Sequence, residues 1–382
     1  MKTTWSSKMR ILILAVSLIG SVGFLSPAFG QVFEVSYLID LNTKEWTKLE
    51  NLGDSTSASA INDSGRVVGA SSRYNGFIYD GSGFITGPNG TGITALSMGW
   101  SSDINNAGQV VGGVVVPPDL GVFIYSYITG PNGEGRASIE SLGGDYTLAY
   151  GINDAGQVAG WSYAGQVAGR PLQHAFITGP NGVGTTDLGL FGGSDSRAID
   201  INNTAQVAIE ADIDGSTHAF ITGPNGQGMT DLGTLGGASS FVSGINDSGQ
   251  VGGRSETATG SEHAFITGPN GHGMIDLGTL GGSFSDAVDI NEAGQVVGSS
   301  ETATGSRHAF VTGRDGTGMT DLNALMHLPE GVILTTATGI NNVGQVVAIA
   351  MVPEPSSYAL MLAGLALIGA VIRRKKLSST PG

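Results

Sequence analysis

Cysteine is absent from this 382-residue chain. Disulfides, thiol nucleophiles and zinc–thiolate centres are therefore excluded. The absence does not assign a cytosolic address, because a large β domain is stable without disulfides. Lysine is missing between Lys48 and Lys375, and cations are scarce throughout: from Gln31 to Val352 there are 10 Lys and Arg against 31 Asp and Glu, a net charge of −21. A body so acidic lacks the cations that nucleic acid requires, and it does not adsorb to anionic lipid by charge. It reads as solvated surface charge. Only 13% of residues are charged and 7% aromatic, yet 40% are hydrophobic, which excludes a disordered chain.

Glycine is abundant, 63 residues without a collagen period, and points to tight turns between short strands. The length suits two average domains or one large β domain. Self-comparison resolves this, because one phrase recurs seven times: INDSGRVVG at 61, INNAGQVVG at 104, INDAGQVAG at 152, INNTAQVAI at 201, INDSGQVGG at 245, INEAGQVVG at 290 and INNVGQVVA at 340. The steps are 43 to 50 residues. ITGPNG recurs from 85 with a degraded copy, VTGRDG, at 311, and DLGTLGG stands whole at 231 and 276.

Each unit reads as four strands: a short small-residue strand a (SDAVDIN), a tight turn, strand b (GQVVGSS), strand c (HAFIT) and, after the PNG turn, strand d (GMTDLGTL). Units of about 45 residues with four strands have the size of propeller blades. The opening YLIDLNTKEWTKLENLG resembles strands c and d alone, and the closing TTATGINNVGQVVAIAM resembles a and b alone. The expected fold is all-β: a seven-bladed β-propeller of four-stranded antiparallel blades, with the last blade closed by N- and C-terminal strands. An open or helical β-solenoid is the alternative, and it leaves the complementary half-units unexplained.

The two ends carry targeting segments. A cationic start (Lys2, Lys8, Arg10) precedes the apolar run ILILAVSLIGSVGFL and small residues at Ala28 and Gly30, predicting signal-peptidase cleavage before Gln31. At the other end Val352-Pro353-Glu354-Pro355-Ser356 is followed by an apolar run, Tyr358 to Ile372, and by Arg373, Arg374, Lys375 and Lys376. As a helix that run spans ~22 Å, short of a ~30 Å hydrocarbon core but insertable with local thinning. The basic cluster holds its end in the cytoplasm.

Pro-Glu-Pro, apolar helix and basic cluster in that order resemble the PEP-CTERM sorting signal of Gram-negative bacteria. The resemblance implies recognition near Pro353, Glu354 and Pro355 by an exosortase, a transient inner-membrane anchor, and delivery to the cell surface or exopolysaccharide matrix. The body, over roughly 35–350, resembles the HAF family of bacterial extracellular repeats. HAF stands at His174, His218, His263 and His308, while the first units read GFI and VFI. That resemblance implies an exported, surface-associated protein and brings no catalytic residues. The expected organisation is signal peptide 1–30, repeat propeller 31–350, sorting segment 351–376 with its transmembrane helix, and tail 377–382.

A search for chemistry finds little. The four HAF histidines fall one to a blade and are expected to hydrogen-bond between blades. His272 and His327 are solitary. Asp187, Asp231, Asp276 and Asp321 recur as structural residues. Asp212, Asp214 and Gly215 resemble a calcium loop but lack its closing Glu. No catalytic residue, metal or cofactor is expected. Unrepeated aromatic and basic residues cluster in b–c and d–a loops, which share one face: Trp100, Tyr146, Trp161, Tyr163, Arg197, Phe241 and Phe284 form the expected ligand face. The sequence thus points to a non-enzymatic exported binding or structural protein, with exopolysaccharide or a surface protein as partner. The rival is a propeller-type hydrolase or lyase acting on extracellular polysaccharide.

Overall fold

The computed structural model describes residues 33–74, 79–116, 123–167 and 170–352. The expected signal peptide and transmembrane helix lie outside these residues. Among the described residues no helix is long and apolar enough to cross a membrane. Six consecutive four-stranded antiparallel units follow one another: β3–β6 (55–98), β7–β10 (100–138), β11–β14 (147–189), β15–β18 (196–231), β19–β22 (236–278) and β23–β26 (281–321). They are blades 1 to 6. A parallel bridge between Glu262 and Phe284 joins blades 5 and 6 into one continuous sheet.

Blade 7 comes from both ends of the chain. β1 (Phe33–Asp40), β2 (Trp46–Lys48), β27 (Ile333–Ile340) and β28 (Gln345–Val352) pair in the order β2-β1-β28-β27. β1 and β28 match over eight residues, from Phe33↔Val352 to Asp40↔Gln345. The complementary half-units read from the sequence thus form one sheet.

The recurrent Asn of the IN phrase closes the ring. Its side chain folds the a–b turn locally: Asn62 Oδ1 accepts the N–H groups of Ser64 (3.1 Å) and Arg66 (3.0 Å). Its amide then reaches forward to the next blade. Asn62 donates to the Asn105 carbonyl (3.0 Å), Asn105 to Asn153 (3.0 Å), Asn153 to Asn202 (3.1 Å) and Asn202 to Asn246 (2.9 Å). Asn246 donates to Asn291 (3.1 Å), Asn291 to Asn341 (3.2 Å), and Asn341 back to Asn62 (3.0 Å). All seven are buried, so each bond acts where an unmade one is costly. This circle fixes the number of blades at seven and excludes an open solenoid.

The other repeated phrase packs blades together. In ITGPNG the Thr hydroxyl accepts the N–H of the Val in GQV or GRV, as Thr86 does from Val67 (2.9 Å). Asn89 adopts φ 53°, and Gly90 follows at φ +67°. A Cβ on Gly90 would stand 2.8 Å from Leu49 Cδ2 of blade 7, so only glycine lets this turn lie on the preceding blade's core. The Phe of HAF is fully buried at Phe176, Phe265 and Phe310. One boundary differs from expectation. The innermost strand of blade 6, expected over 285–291, already begins at Gly281, and its counterpart in blade 5 begins at Gly236, so the LGG glycines open these strands. Gly236, at φ +103°, makes that early corner possible.

Candidate functional site

Among the described residues two regions have the makings of a site: the central bore and one groove on the b–c/d–a face. The bore is built by a repeated irregularity. All seven innermost strands share a register slip just before the a–b turn: Ala58/Ala60, Ser101/Asp103, Ala149/Gly151, Ala198/Asp200, Val242/Gly244, Ala287/Asp289 and Ala337/Gly339. A bulge re-aims the side chains around it. Here the seven bulges and the a–b turns that follow them line a cavity of about 270 Å³ at the a–b mouth.

The residue after each bulge alternates around the ring: Ala60, Asp103, Gly151, Asp200, Gly244, Asp289, Gly339. Each Asp bolts its own blade to the next. Asp103 accepts Ile104 N–H (2.7 Å) and, from blade 3, Ile152 N–H (2.9 Å). Asp200 does the same with Ile201 (2.7 Å) and Ile245 (2.9 Å), and Asp289 with Ile290 (2.7 Å) and Ile340 (2.8 Å). At Gly151 the glycine is a steric requirement, since a Cβ there would sit 2.6 Å from Asp200 Oδ1, whereas one on Gly244 would be 3.4 Å from Asp289 Oδ1. Seven is odd, so the alternation leaves one blade over, and Ala60 of blade 1 stands there.

Burial in the bore wall disfavours these charges. It raises Asp103 to about 6 and Asp289 to about 7, against the lowering effect of their backbone hydrogen bonds. Burial also raises Asp200, reinforced by the charges of Asp103 and Asp289.

A second ring lies at the mouth. Asn106 Oδ1 accepts Asp63 N–H (3.0 Å), Asp154 that of Asn106 (2.8 Å), Asn203 that of Asp154 (2.8 Å) and Asp247 that of Asn203 (2.7 Å). Glu292, Asn342 and Asp63 complete it. Burial, with the charges of Asp247 and Asp63, raises Glu292. These carboxylates are occupied by backbone donors. Among the described residues no group of three or more His, Asp or Glu side chains could hold a metal ion.

The opposite face carries the unrepeated residues. Tyr146 and Tyr163 meet edge to face at 5.2 Å, and Trp161 meets Tyr163 at 5.4 Å. Trp161 is buried beneath them, its indole N–H on the Tyr150 hydroxyl (3.2 Å). Tyr146, Tyr163, Gly143, Gly144, Asp145, Gly165 and Pro171 line a groove of about 370 Å³. Gly144 is needed there, because a Cβ would stand 2.4 Å from Tyr163 Cβ.

The other expected face residues belong to different blades and do not join this trio. Trp100 packs on Gly113 in blade 2. Arg197 donates to Gln173 (2.6 Å), Arg254 lies over the Phe241 ring at 4.3 Å, and Arg307 over Phe284 at 5.5 Å. Arg254 also pairs with Asp286 (3.5 Å) and Glu262 (3.6 Å). Burial raises Glu210 and Asp286 in spite of these neighbouring arginines.

The HAF histidines correct an expectation. They bond within blades, not between them: His174 to Asp187 (2.9 Å), His218 to Asp231 (3.2 Å), His263 to Asp276 (3.0 Å) and His308 to Asp321 (2.7 Å). Strands c and d are neighbours in the sheet, so the nearest carboxylate is the blade's own. A constant spacing of 13 residues was the signal for these pairs. Asp212 to Thr217 is an ordinary hairpin, with Asp214 and Gly215 both at positive φ. The bore aspartates went unpredicted, though Asp and Gly alternate before six of the seven Ile-Asn pairs in the sequence.

Residues 352–375 match the PEP-CTERM protein-sorting motif. The motif implies an exported chain that an exosortase processes and that is sorted to the cell surface. A comparison with curated proteins finds no match. Among solved structures the chain is similar to the β-propeller domain of the Trilobed protease from Pyrococcus furiosus, at 9% identity and TM-score 0.54, covering 78% of this chain and 89% of that one. It is also similar to a prolyl endopeptidase studied for inter-domain dynamics, at 10% identity and TM-score 0.51, covering 88% and 50%. A third similar structure is a putative TolB from Agrobacterium tumefaciens, at 10% identity and TM-score 0.48, covering 85% and 100%. Likeness at this identity concerns the fold alone, a β-propeller. The Pyrococcus propeller is described as having an open velcro topology, whereas here β1 and β28 close the ring. The chain is a β-propeller with a PEP-CTERM sorting tail.

Proposed function

We propose that this propeller is a binding module of the cell surface or exopolysaccharide matrix, and that it holds polysaccharide in the aromatic groove of blade 3. The observation that carries this reading is the Tyr146–Trp161–Tyr163 cluster. It is built from residues the other blades do not repeat, and it borders a groove edged by Asp145. Aromatic faces stack on the apolar face of a sugar, and a carboxylate at the rim accepts its hydroxyls. Export through the sorting tail delivers this groove among such polymers, and the resemblance to HAF-type extracellular repeats agrees with that address. A hydrolase or lyase is disfavoured, because each bore aspartate already spends both oxygens on backbone N–H groups.

Affinity electrophoresis of the mature chain in matrix polysaccharide tests the proposal. Tyr146→Ala and Tyr163→Ala should each weaken retention about tenfold, equivalent to about 1.4 kcal/mol, while Trp100→Ala should not. Absence of retention in the wild type, or unchanged retention in both Tyr variants, refutes it. Intact mass of the secreted protein checks processing: the tail should be lost near Pro353, and retained in a Pro353-Glu354-Pro355→Ala variant.

A further inference from the structure

Both ends of the propeller leave it at one point. Phe33 pairs directly with Val352, and beside them Met351 pairs with Ile333. β28 starts next to Asn341 and Asn342 at the bore mouth and runs eight residues away from it. Val352 therefore lies on the b–c/d–a face, in the blade 7 sector. Only five residues, 353–357, separate β28 from the apolar run beginning at Tyr358, and seven residues, 26–32, separate Leu25 from Phe33. Fully extended, these segments reach about 18 Å and about 25 Å. With the basic groups of both ends held in the cytoplasm, these lengths bound how far the Phe33–Val352 edge can stand from the membrane.

Next to the exit point Ile333 and Met351 are 44% and 52% exposed, and they are cross-strand neighbours. Two large apolar side chains thus lie exposed side by side at this edge of the blade. We infer that, before processing, the blade 7 sector of the b–c/d–a face rests on the exporting membrane, with Ile333 and Met351 touching lipid. The inference depends on the sorting tail being inserted in that membrane. The contact is apolar, not electrostatic, because Glu34 stands opposite Met351 and the body is strongly acidic. So small a patch binds weakly by itself, and the tether supplies the high local concentration that makes the contact persist. The acidic ring at the bore mouth then points away from the membrane.

The cysteine-free chain suits a site-specific test. Met351→Cys, Ile333→Cys and Val343→Cys place a fluorophore on exposed positions, the last in the a–b turn of blade 7 at the opposite face. The full chain with its tail intact is reconstituted into phosphatidylethanolamine–phosphatidylglycerol vesicles containing a headgroup-nitroxide lipid. Labels at 351 and 333 should be quenched several-fold more than the label at 343. Equal quenching, no quenching, or stronger quenching at 343 in protein that sediments with the vesicles overturns the inference and leaves insertion of the tail standing. Protein that fails to sediment refutes the insertion itself, and the inference with it.

Discussion

Replacing Asn202 by Ala cuts the ring at one known place. The side chain donates to the Asn246 carbonyl (2.9 Å) and to Gln206 Oε1 (2.9 Å). It accepts from Thr204 N–H (3.1 Å), Thr204 Oγ1 (2.8 Å) and Gln206 N–H (2.9 Å). It is 4% exposed, so water does not replace these partners. Five bonds at roughly 1 kcal/mol each, partly recovered by relaxation of the turn, give an expected loss of about 3–5 kcal/mol. That is a large share of a typical domain's stability of about 5–15 kcal/mol. Asn203 is the internal control. It is exposed and bonds to Asp154 and Asp247 at the mouth, so Asn203→Ala should cost at most about 1 kcal/mol. Guanidinium unfolding of the mature chain, wild type and both variants, measures the difference. If Asn202→Ala costs no more than Asn203→Ala, the inner circle does not hold the ring and the argument for it fails.

Three further outcomes are expected. Asp103 and Asp289 titrate near 6 and 7 in the folded chain against 3.8 ordinarily, so the folded state binds more protons between those values. Stability should accordingly fall as pH rises from about 4 to about 7, and Asp289→Asn should flatten the upper part of a plot of urea midpoint against pH. Gly151→Ala forces a Cβ to 2.6 Å from Asp200 Oδ1 and 2.9 Å from its Cα, and should lower stability by about 1–3 kcal/mol, visible in thermal unfolding. His263→Ala removes a partly exposed pair within one blade and should cost about 1 kcal/mol or less in the guanidinium midpoint, because no inter-blade bond depends on it.

The blade count was legible because the Asn of each IN phrase performs the same task seven times, and a task repeated at fixed geometry keeps its spacing. The closing blade was legible for the same reason: each half-unit lacked the strands that the other supplied. The partner of a side chain is a different kind of fact. His174 was expected to reach a neighbouring blade, yet strand d of its own blade runs alongside strand c and offers Asp187 first. The expected ligand face was assembled from loops that share a side of the ring, but sharing a side does not bring residues together. Tyr146, Trp161 and Tyr163 converge because one blade holds all three. Trp100, Arg197, Phe241 and Phe284 are spread over four others. The bore aspartates escaped notice because alternation between blades is invisible when each repeat is compared only with a consensus.

The position of β28 has a mechanical consequence. The strand is held on both edges, by eight residue pairs to β1 and six to β27, and the sorting motif starts at its last residue. A pull transmitted through that end acts along the strand axis, so the two ladders bear the force together in shear. A strand loaded across its axis would peel away one bond at a time. Exit of the tail from the middle of a sheet, in the blade that closes the ring, gives the propeller an attachment that resists traction from its own tether.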